Sequence, residues 1–224
     1  MFATAHAGKV VRMRSRQTQV LFALFATLVA ALALLVVPSA SAYPPDPPGE
    51  EAARTHLAAL AVESPGTGDD YDRDLFPHWH TVEGTCDTRE TVLKRDGTGV
   101  ETGDDCYPTS GSWYSVYDSQ TLTDPSDIHI DHIVPLSEAW KSGADDWSTD
   151  RRETFANDLT HSQLIAVSGS SNMSKGDADP AEWKPENENV WCVYAREWID
   201  TKYVYDLSVD SSEKSALGGM LDRC

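Results

Sequence analysis

The sequence predicts an α+β domain built from short strands and short helices. Runs of aromatic and β-branched residues, interrupted by Gly, Pro and Asp, occupy much of the chain between residues 71 and 134, which is typical of short strands. Apolar residues at helical spacing follow in the last part of the chain, from residue 190 onward. Strands early and helices late, without an internal repeat, indicate one mixed domain.

The first 42 residues have the pattern of a signal peptide. A basic start precedes an apolar run over residues 20–37, broken only by Thr27, and the small-residue sequence Ala40-Ser41-Ala42. This order predicts export and cleavage after Ala42. The apolar run approaches membrane-spanning length, so an uncleaved anchor is the alternative. We expect a secreted mature chain with no stable membrane association. The basic residues of the leader are Lys9, Arg12, Arg14 and Arg16.

The chain after the leader divides into two parts by composition. Residues 43–70 hold a Pro-rich start, a short helix predicted over residues 50–62 and the linker-like sequence SPGTGDD. Residues 71–224 form the predicted domain. Asp150, Asp179 and Asp210 carry helix-start signals. Within the domain we predict strands over 111–117, 128–134 and 164–167, and helices over 88–95, 154–158, 190–203 and after Asp179 and Asp210.

Four cysteines, all beyond the leader, predict disulfide bonds. Their even number suits an oxidising compartment and allows three pairings. We expect Cys86–Cys106 and Cys192–Cys224, because each of these pairs closes a local loop. A zinc site is the alternative, and the lack of CxxC spacing disfavours it.

The charge balance argues against bulk electrostatic attraction to nucleic acid. The formal net charge is −18, and removal of the leader's four cations, which no acid accompanies, makes it −22. Proteins that hold nucleic acid through long-range attraction are usually basic. A nuclease this acidic needs a divalent cation and a few local Arg or Lys residues to hold a phosphate. Its substrate binding is then expected to be weak and salt-sensitive, while the acidity also favours solubility.

The segment IDHIVP, residues 130–135, carries the residues best suited to chemistry. Hydrolysis of a phosphodiester needs a base for water and a cation beside the phosphate. Histidine supplies such a base near neutral pH, and a carboxylate is a hard ligand for Mg²⁺ or Mn²⁺. Adjacent strand residues point to opposite faces, so Asp131 and His132 share a site only where the strand bends or ends, as Pro135 suggests. Alone, the pair is more often a surface acid beside a structural histidine.

Two asparagines and a lysine complete the candidate set. Asn172 offers a neutral oxygen to a metal, and Lys175, three residues on, shares its helical face and would contact a phosphate oxygen. Asn157 lies between the two strands and can hydrogen-bond the backbone that carries the base. Each has a structural alternative: a capping Asn, a solvated Lys and an ordinary helix-terminal Asn.

The order of these residues resembles that of the HNH endonucleases, the ββα-metal or His-Me finger nucleases. DHIVP is similar to the corresponding phrase in the HNH domain of CRISPR effector nucleases. From about Tyr71 to the C terminus the chain resembles a group of secreted bacterial HNH-family proteins. The resemblance implies an HNH ββα-metal core, elaborated by additional helices and a small disulfide-stabilised β region. The segments that carry it are CDTRE, GSWYSVYD, DHIVPLSEAWKSGA, RRETFANDL and SNMSKGDADPAEWKP.

The resemblance also implies roles for individual residues. Asp131 and Asn172 would bind one divalent cation, Mg²⁺ or Mn²⁺. His132 would be the general base, Asn157 would support it, and the products would carry a 5′-phosphate. The chain departs from the compact HNH pattern, because a long insert separates the two motifs and Asn172 stands where many relatives have His. The third protein ligand is therefore open between Asp177 and water.

The sequence thus predicts a secreted, metal-dependent endonuclease, monomeric, with DNA or RNA as substrate. Arg89 is a second candidate for substrate contact, because a disulfide at Cys86 would fix it for bidentate phosphate binding; a surface ion pair is its alternative. His129 is expected to be an exposed strand histidine. The rival function is a non-catalytic nucleic-acid- or protein-binding module on a degenerate HNH scaffold. A peptidase is disfavoured because the chain lacks HExxH and G-x-S-x-G motifs.

Overall fold

The computed structural model describes residues 1–2 and 44–224. The predicted signal peptide, apart from its first two residues, lies outside the described residues, and so does its cleavage site. The chain divides into two units, Met1–Ala40 and Ser41–Cys224, of which the second is described below. In the part of the chain that is described, no helix has the length and apolarity that crossing a membrane requires.

Residues 44–224 form a mixed α+β structure, as predicted. The strands pair antiparallel in three small sheets, β1-β2, β3-β4-β5 and β6-β7. They are β1 (Thr81–Glu83), β2 (Cys86–Asp87), β3 (Gly97–Thr102), β4 (Pro108–Ser115), β5 (Gln120–Leu122), β6 (Ile128–His132) and β7 (Leu164–Ser168). The helices are α1 (Glu50–Ala59), α2 (Thr88–Asp96), α3 (Leu136–Lys141), α4 (Thr149–Ala156), α5 (Gly169–Lys175), α6 (Trp191–Val204) and α7 (Ser211–Leu221).

Local capping fixes the start of the helices that the sequence signals best. Asp210 begins α7 with a capping box, in which its carboxylate accepts from the backbone of Glu213 and the Glu213 side chain accepts in return. Asp87 and Glu90 form the same arrangement at α2. These reciprocal bonds satisfy backbone donors that a helix N-terminus otherwise leaves unpaired.

Two predicted helix starts are wrong. Helix α4 begins earlier than expected, because Ser148 rather than Asp150 provides the cap. No helix follows Asp179, whose side chain and carbonyl close only a single turn. Pro180 and Pro185 bound that turn, and the few residues between them are too short a stretch to nucleate a helix.

The antiparallel strand pair β6-β7 lies between two groups of buried side chains. Its Ile128 and Ile130 belong to a small cluster that also holds Trp113 and two apolar residues of α2. Its Ile165 and Val167, on the opposite face, belong to the main core with α6 and α7. Burying a large apolar side chain stabilises the fold by about 1.5–3 kcal/mol. Packing on both faces therefore holds the strand pair in place.

The segment before residue 71 contributes to the same core. Ala53 and Leu57 of α1 are buried in the main cluster, and the Arg196 side chain donates to the carbonyls of Pro47 and Pro48 at 2.8 and 2.6 Å. The Pro-rich start and α1 therefore pack as part of the compact unit.

Both expected disulfides are present. Cys86–Cys106 joins β2 to the loop before β4, and Cys192–Cys224 joins the first turn of α6 to the chain end. Each disulfide links elements that are near each other along the chain, as expected from the local loops that the two pairs close.

Candidate active site

Asp131 and His132 line one cleft because β6 ends at His132. Beyond it the buried side chain of Gln163 accepts from the nitrogen of Val134 at 3.0 Å and donates to its carbonyl at 2.9 Å. This clamp satisfies the backbone where Pro135 ends regular pairing. We call the resulting cavity, of about 180 Å³, the central cleft. Its polar lining comes from Arg73, Asp131, His132, Asn172 and Asp177.

The His132 ring is held in one orientation and one tautomer. Its Nε2 lies 2.9 Å from the carbonyl oxygen of Ala156, and because a carbonyl only accepts, Nε2 must carry the proton. The neutral ring therefore has its free lone pair on Nδ1. Burial, together with the positive charges of Arg73 and Lys175, lowers the pKa of His132 to about 3. The ring of Trp79 stacks on it with centroids 5.7 Å apart.

Asp131 is engaged by two buried partners. Lys175 Nζ donates to both carboxylate oxygens at 2.9 and 2.7 Å, and the hydroxyl of Tyr117 donates to Oδ2 at 2.7 Å. Burial, reinforced by the charge of Asp131, raises the pKa of Tyr117 well above its usual value, so Tyr117 stays protonated as a donor. Oδ1 accepts only one of these bonds and so keeps a lone pair for another ligand.

The position of Lys175 differs from the phosphate contact that the sequence predicts. Its side chain is 0% exposed, and its three N–H donors go to the two Asp131 oxygens and the carbonyl of His132. Burial lowers the pKa of Lys175 while Asp131 opposes that effect. Spacing placed Lys175 correctly on a helix with Asn172, but it did not show that the side chain points inward to neutralise Asp131.

Asn172 is oriented by His129, which the sequence predicted to be exposed. The Asn172 Nδ2 group lies 3.2 Å from Nδ1 of His129. The amide nitrogen therefore donates to His129, and the amide oxygen is left to bind another group. His129 is half-buried, and Gly169 allows it to sit close, since an added Cβ would lie only 3.0 Å from the ring. The alternation of His129 with Asp131 on one strand face was the sequence signal for this role.

Asn157 sits at the end of α4 and fixes the backbone around His132. Its Oδ1 accepts from the nitrogen of His80 at 3.2 Å and from the hydroxyl of Thr88 at 2.8 Å. Its Nδ2 donates to the carbonyls of Pro77 and Glu153 at 2.8 Å. The residue before Asn157 supplies the carbonyl that His132 contacts, so Asn157 acts on the imidazole through the backbone.

Arg73 is a site residue that the sequence did not reveal. It is exposed on a short 3₁₀ turn, Arg73–Leu75, and lines the central cleft. Arg89 lines a neighbouring cavity that shares Arg73 and Asn172 with the central cleft. Nothing in the local sequence of Arg73 distinguishes it from any other surface arginine, because the chain brings it to the cleft only through tertiary packing.

The cleft has oxygen donors that fit a weakly held hard cation. Within the described ranges, no cluster of three or more His, Cys, Asp or Glu residues is arranged to hold a metal. Mg²⁺, however, commonly uses one or two protein carboxylates and keeps several waters. The free lone pair of Asp131, the amide of Asn172 and the carboxylate of Asp177 lie on the same cleft. Since Lys175 neutralises Asp131, the affinity for a cation is expected to be low.

Comparison with known proteins gives a family for this chain. The family of the GmrSD restriction endonucleases, C-terminal domain, matches residues 90–220. The chain belongs to this family. It is also similar to an uncharacterized secreted protein of Arthroderma benhamiae, with 52% identity over 200 residues that cover 89% of this chain and 98% of the relative. No solved structure matches the chain significantly.

The GmrSD C-terminal family region contains most of the central cleft. Asp131, His132, Asn157 and Asn172 all lie within residues 90–220, whereas Arg73, Trp79 and Arg89 precede it. Membership of a restriction endonuclease family indicates a nuclease-like domain. The Arthroderma relative is fungal, whereas the sequence suggested bacterial relatives.

Proposed function

We propose that this GmrSD-family chain is a secreted, metal-dependent endonuclease of the HNH type, hydrolysing phosphodiester bonds in nucleic acid. The antiparallel strands β6 and β7 followed directly by the short helix α5 support an HNH assignment. Asp131 and His132 lie at the end of β6, and Asn172 lies on α5. The two disulfides and the name of the Arthroderma relative support secretion.

One observation carries the proposal. The Nε2 group of His132 is bonded to the Ala156 carbonyl, which leaves Nδ1 as the basic atom of a neutral ring. No hydrogen bond occupies Nδ1 within residues 44–224, and the ring lines the same cleft as Asp131 and Asn172. An imidazole held in this form has the free lone pair that a general base needs in order to take a proton from water.

The reaction follows from these positions. Water attacks the phosphorus as its proton passes to His132 Nδ1, and the bond from phosphorus to the 3′ oxygen breaks. The leaving 3′ oxygen takes a proton from solvent, which gives a 3′-hydroxyl and a 5′-phosphate. Arg73 binds a non-bridging phosphate oxygen, and Asn157 keeps the His132 contact in place.

The cation would be held by Asp131 and Asn172, with Asp177 or water completing the protein ligands. When bound, it would stabilise the negative charge that develops on the phosphate and on the leaving oxygen. Lys175 holds the Asp131 carboxylate in place through two hydrogen bonds, so Lys175 contributes to the site without touching substrate. Mg²⁺ and Mn²⁺ are the candidates, because the available donors are oxygens.

The proposal is tested by an activity matrix of metals against substrates with the mature protein. We expect hydrolysis of single-stranded or duplex oligonucleotides with Mg²⁺ or Mn²⁺, loss of activity in EDTA, and restoration by excess metal. Casein serves as a control substrate and should stay intact.

Two results would contradict the proposal. Activity that persists at full rate in EDTA would show that hydrolysis does not require a divalent cation. Tight binding of nucleic acid with no cleavage under any metal would instead support the rival, a binding module on a degenerate nuclease scaffold.

A further inference from the structure

A second cavity adjoins the central cleft and is lined by arginine and aromatic side chains. Its volume is about 410 Å³, and it shares Arg73, Ile130 and Asn172 with the central cleft. The two cavities therefore adjoin at these residues, and we call them together the groove. We call the second part the flanking cleft. Its other lining residues are Trp79, Arg89, Tyr107, Ser126, Ile128 and His129.

The charge of the flanking cleft is opposite to that of the chain. Its lining includes Arg73 and Arg89 and no Asp or Glu, although acids outnumber bases by 36 to 18 in the sequence. The central cleft, in contrast, contains Asp131 and Asp177. An acid-free surface with two guanidinium groups, in so acidic a protein, fits an anionic group next to the reaction centre.

Arg89 is positioned for a planar, two-point contact. Its guanidinium lies over the Tyr107 ring, 5.5 Å from the centroid, and makes one long hydrogen bond to the Ile128 carbonyl, at 3.4 Å. Most of its five donors are thus not used by residues 44–224. Cys86 lies three residues before Arg89, and Cys106 is next to Tyr107. The disulfide between these cysteines therefore holds Arg89 and Tyr107 near each other.

We propose that the flanking cleft binds the nucleotide next to the scissile phosphate. Arg89 clamps the neighbouring phosphate, Arg73 stays on the scissile phosphate, and the base lies against Tyr107, a residue that is 37% exposed. A single strand is the favoured substrate, because a duplex carries twice the phosphate charge per unit length that this acidic chain must approach. The assignment rests on the proposed nuclease function.

The test compares two substrates of different length. Bis(p-nitrophenyl) phosphate spans only the central cleft, whereas a single-stranded oligonucleotide also reaches the flanking cleft. Arg89→Ala and Tyr107→Ala are compared with Arg223→Ala, which removes the same charge from an arginine that pairs with Glu188 and lines neither cleft. Binding of a fluorescent oligonucleotide is measured by anisotropy without added metal, and thermal melts check folding.

We expect Arg89→Ala to raise the Kd and KM for the oligonucleotide about tenfold, and to affect the small diester much less than the oligonucleotide. Arg89→Lys should fall between wild type and Arg89→Ala, since it keeps the charge without the planar fork. Tyr107→Ala, which removes an exposed ring, should weaken oligonucleotide binding without lowering the melting temperature.

The outcomes separate this proposal from the nuclease assignment. If wild type cleaves neither substrate while Arg89→Ala still weakens oligonucleotide binding, the flanking cleft stands and the nuclease function fails. If Arg89→Ala binds the oligonucleotide as Arg223→Ala does, the flanking cleft is overturned whatever the catalytic result. A duplex that competes more strongly than the single strand would overturn the single-strand preference.

Discussion

Single side chains in the central cleft owe their roles to partners distant along the chain. His129 illustrates this, because it accepts a hydrogen bond from the amide of Asn172. Partners of this kind orient a metal ligand and keep its oxygen turned toward the ion. A residue that looked like an ordinary strand histidine is thus a positioning residue for the proposed cation site.

Removal of His129 should therefore weaken the response to metal. In His129→Ala we expect the Mg²⁺ concentration for half-maximal activity to rise about tenfold, while the rate at saturating Mg²⁺ stays within a few-fold of wild type. His80→Ala is the matched control, because His80 is exposed and lines neither cleft. An unchanged metal titration, or a loss that excess metal does not restore, would contradict this role.

Glu197 is a buried acid that makes stability depend on pH. Burial, together with the negative charges of Asp96 and Asp131, raises its pKa from 4.5 to about 8. Between these two values the folded protein holds a proton that the unfolded chain has released. Stability from this group is therefore greatest below about pH 4.5, falls as pH rises to about 8, and is constant above that.

Glu197→Gln should remove this dependence. We expect the melting temperature of the variant to equal that of wild type near pH 5 and to exceed it by about 5 °C or more at pH 9. Differential scanning calorimetry at both pH values measures the effect. Glu186→Gln, at an exposed position, is the control. Equal melting temperatures at pH 9 would show that Glu197 ionises without cost in the folded state.

Among the elements, the two disulfides have different consequences. Both close loops, of sequence separation 20 and 32, and loss of either is expected to cost about 3–4 kcal/mol. Only Cys86–Cys106 connects elements that reach the flanking cleft, because β2 leads into the helix carrying Arg89. Cys192–Cys224 joins α6 to the chain end and lines neither cleft.

Serine replacement of each pair should separate stability from substrate binding. Both double variants should melt at lower temperature than wild type. Cys86→Ser with Cys106→Ser should in addition raise the oligonucleotide KM several-fold, whereas Cys192→Ser with Cys224→Ser should leave it unchanged when measured well below the melting temperature. An equal rise of KM in the two double variants would argue against a link between the first disulfide and the groove.

The elements with strong local signals were predictable from the sequence, and those that depend on packing were not. The capping box at Asp210, the strand ending near Pro135 and the helix carrying Asn172 all rest on neighbouring residues. The helix expected after Asp179 failed, because a good start signal cannot compensate for a second proline a few residues later.

The candidate site was predicted in its membership more than in its contacts. Asp131, His132 and Asn172 line one cleft, and their roles stay predictions. The burial of the Lys175 side chain and the position of Arg73 on the cleft depend on contacts between residues distant in the sequence. Residue spacing does not predict such contacts. The role of Gln163 was missed for the same reason, because it depends on a contact with Val134, which is distant in the sequence.

At the scale of the whole molecule, excess negative charge limits how nucleic acid is held. Two arginines on the groove are the expected phosphate contacts, and each contact releases condensed counterions. The logarithm of the binding constant should therefore fall with the logarithm of salt concentration with a slope of only about −1 to −2 for a single strand. Anisotropy titrations at several NaCl concentrations measure the slope. A much steeper dependence would indicate a wider basic surface than the groove provides.

The central claim is that the imidazole of His132 takes a proton from the attacking water. The most direct test is the single-turnover rate of His132→Ala on an oligonucleotide at saturating Mg²⁺, beside His80→Ala and with a thermal melt of each. We predict a loss of at least about 100-fold for His132→Ala in a folded protein that still binds the oligonucleotide, and near-wild-type cleavage by His80→Ala. A folded His132→Ala variant that cleaves at the wild-type rate would contradict the claim.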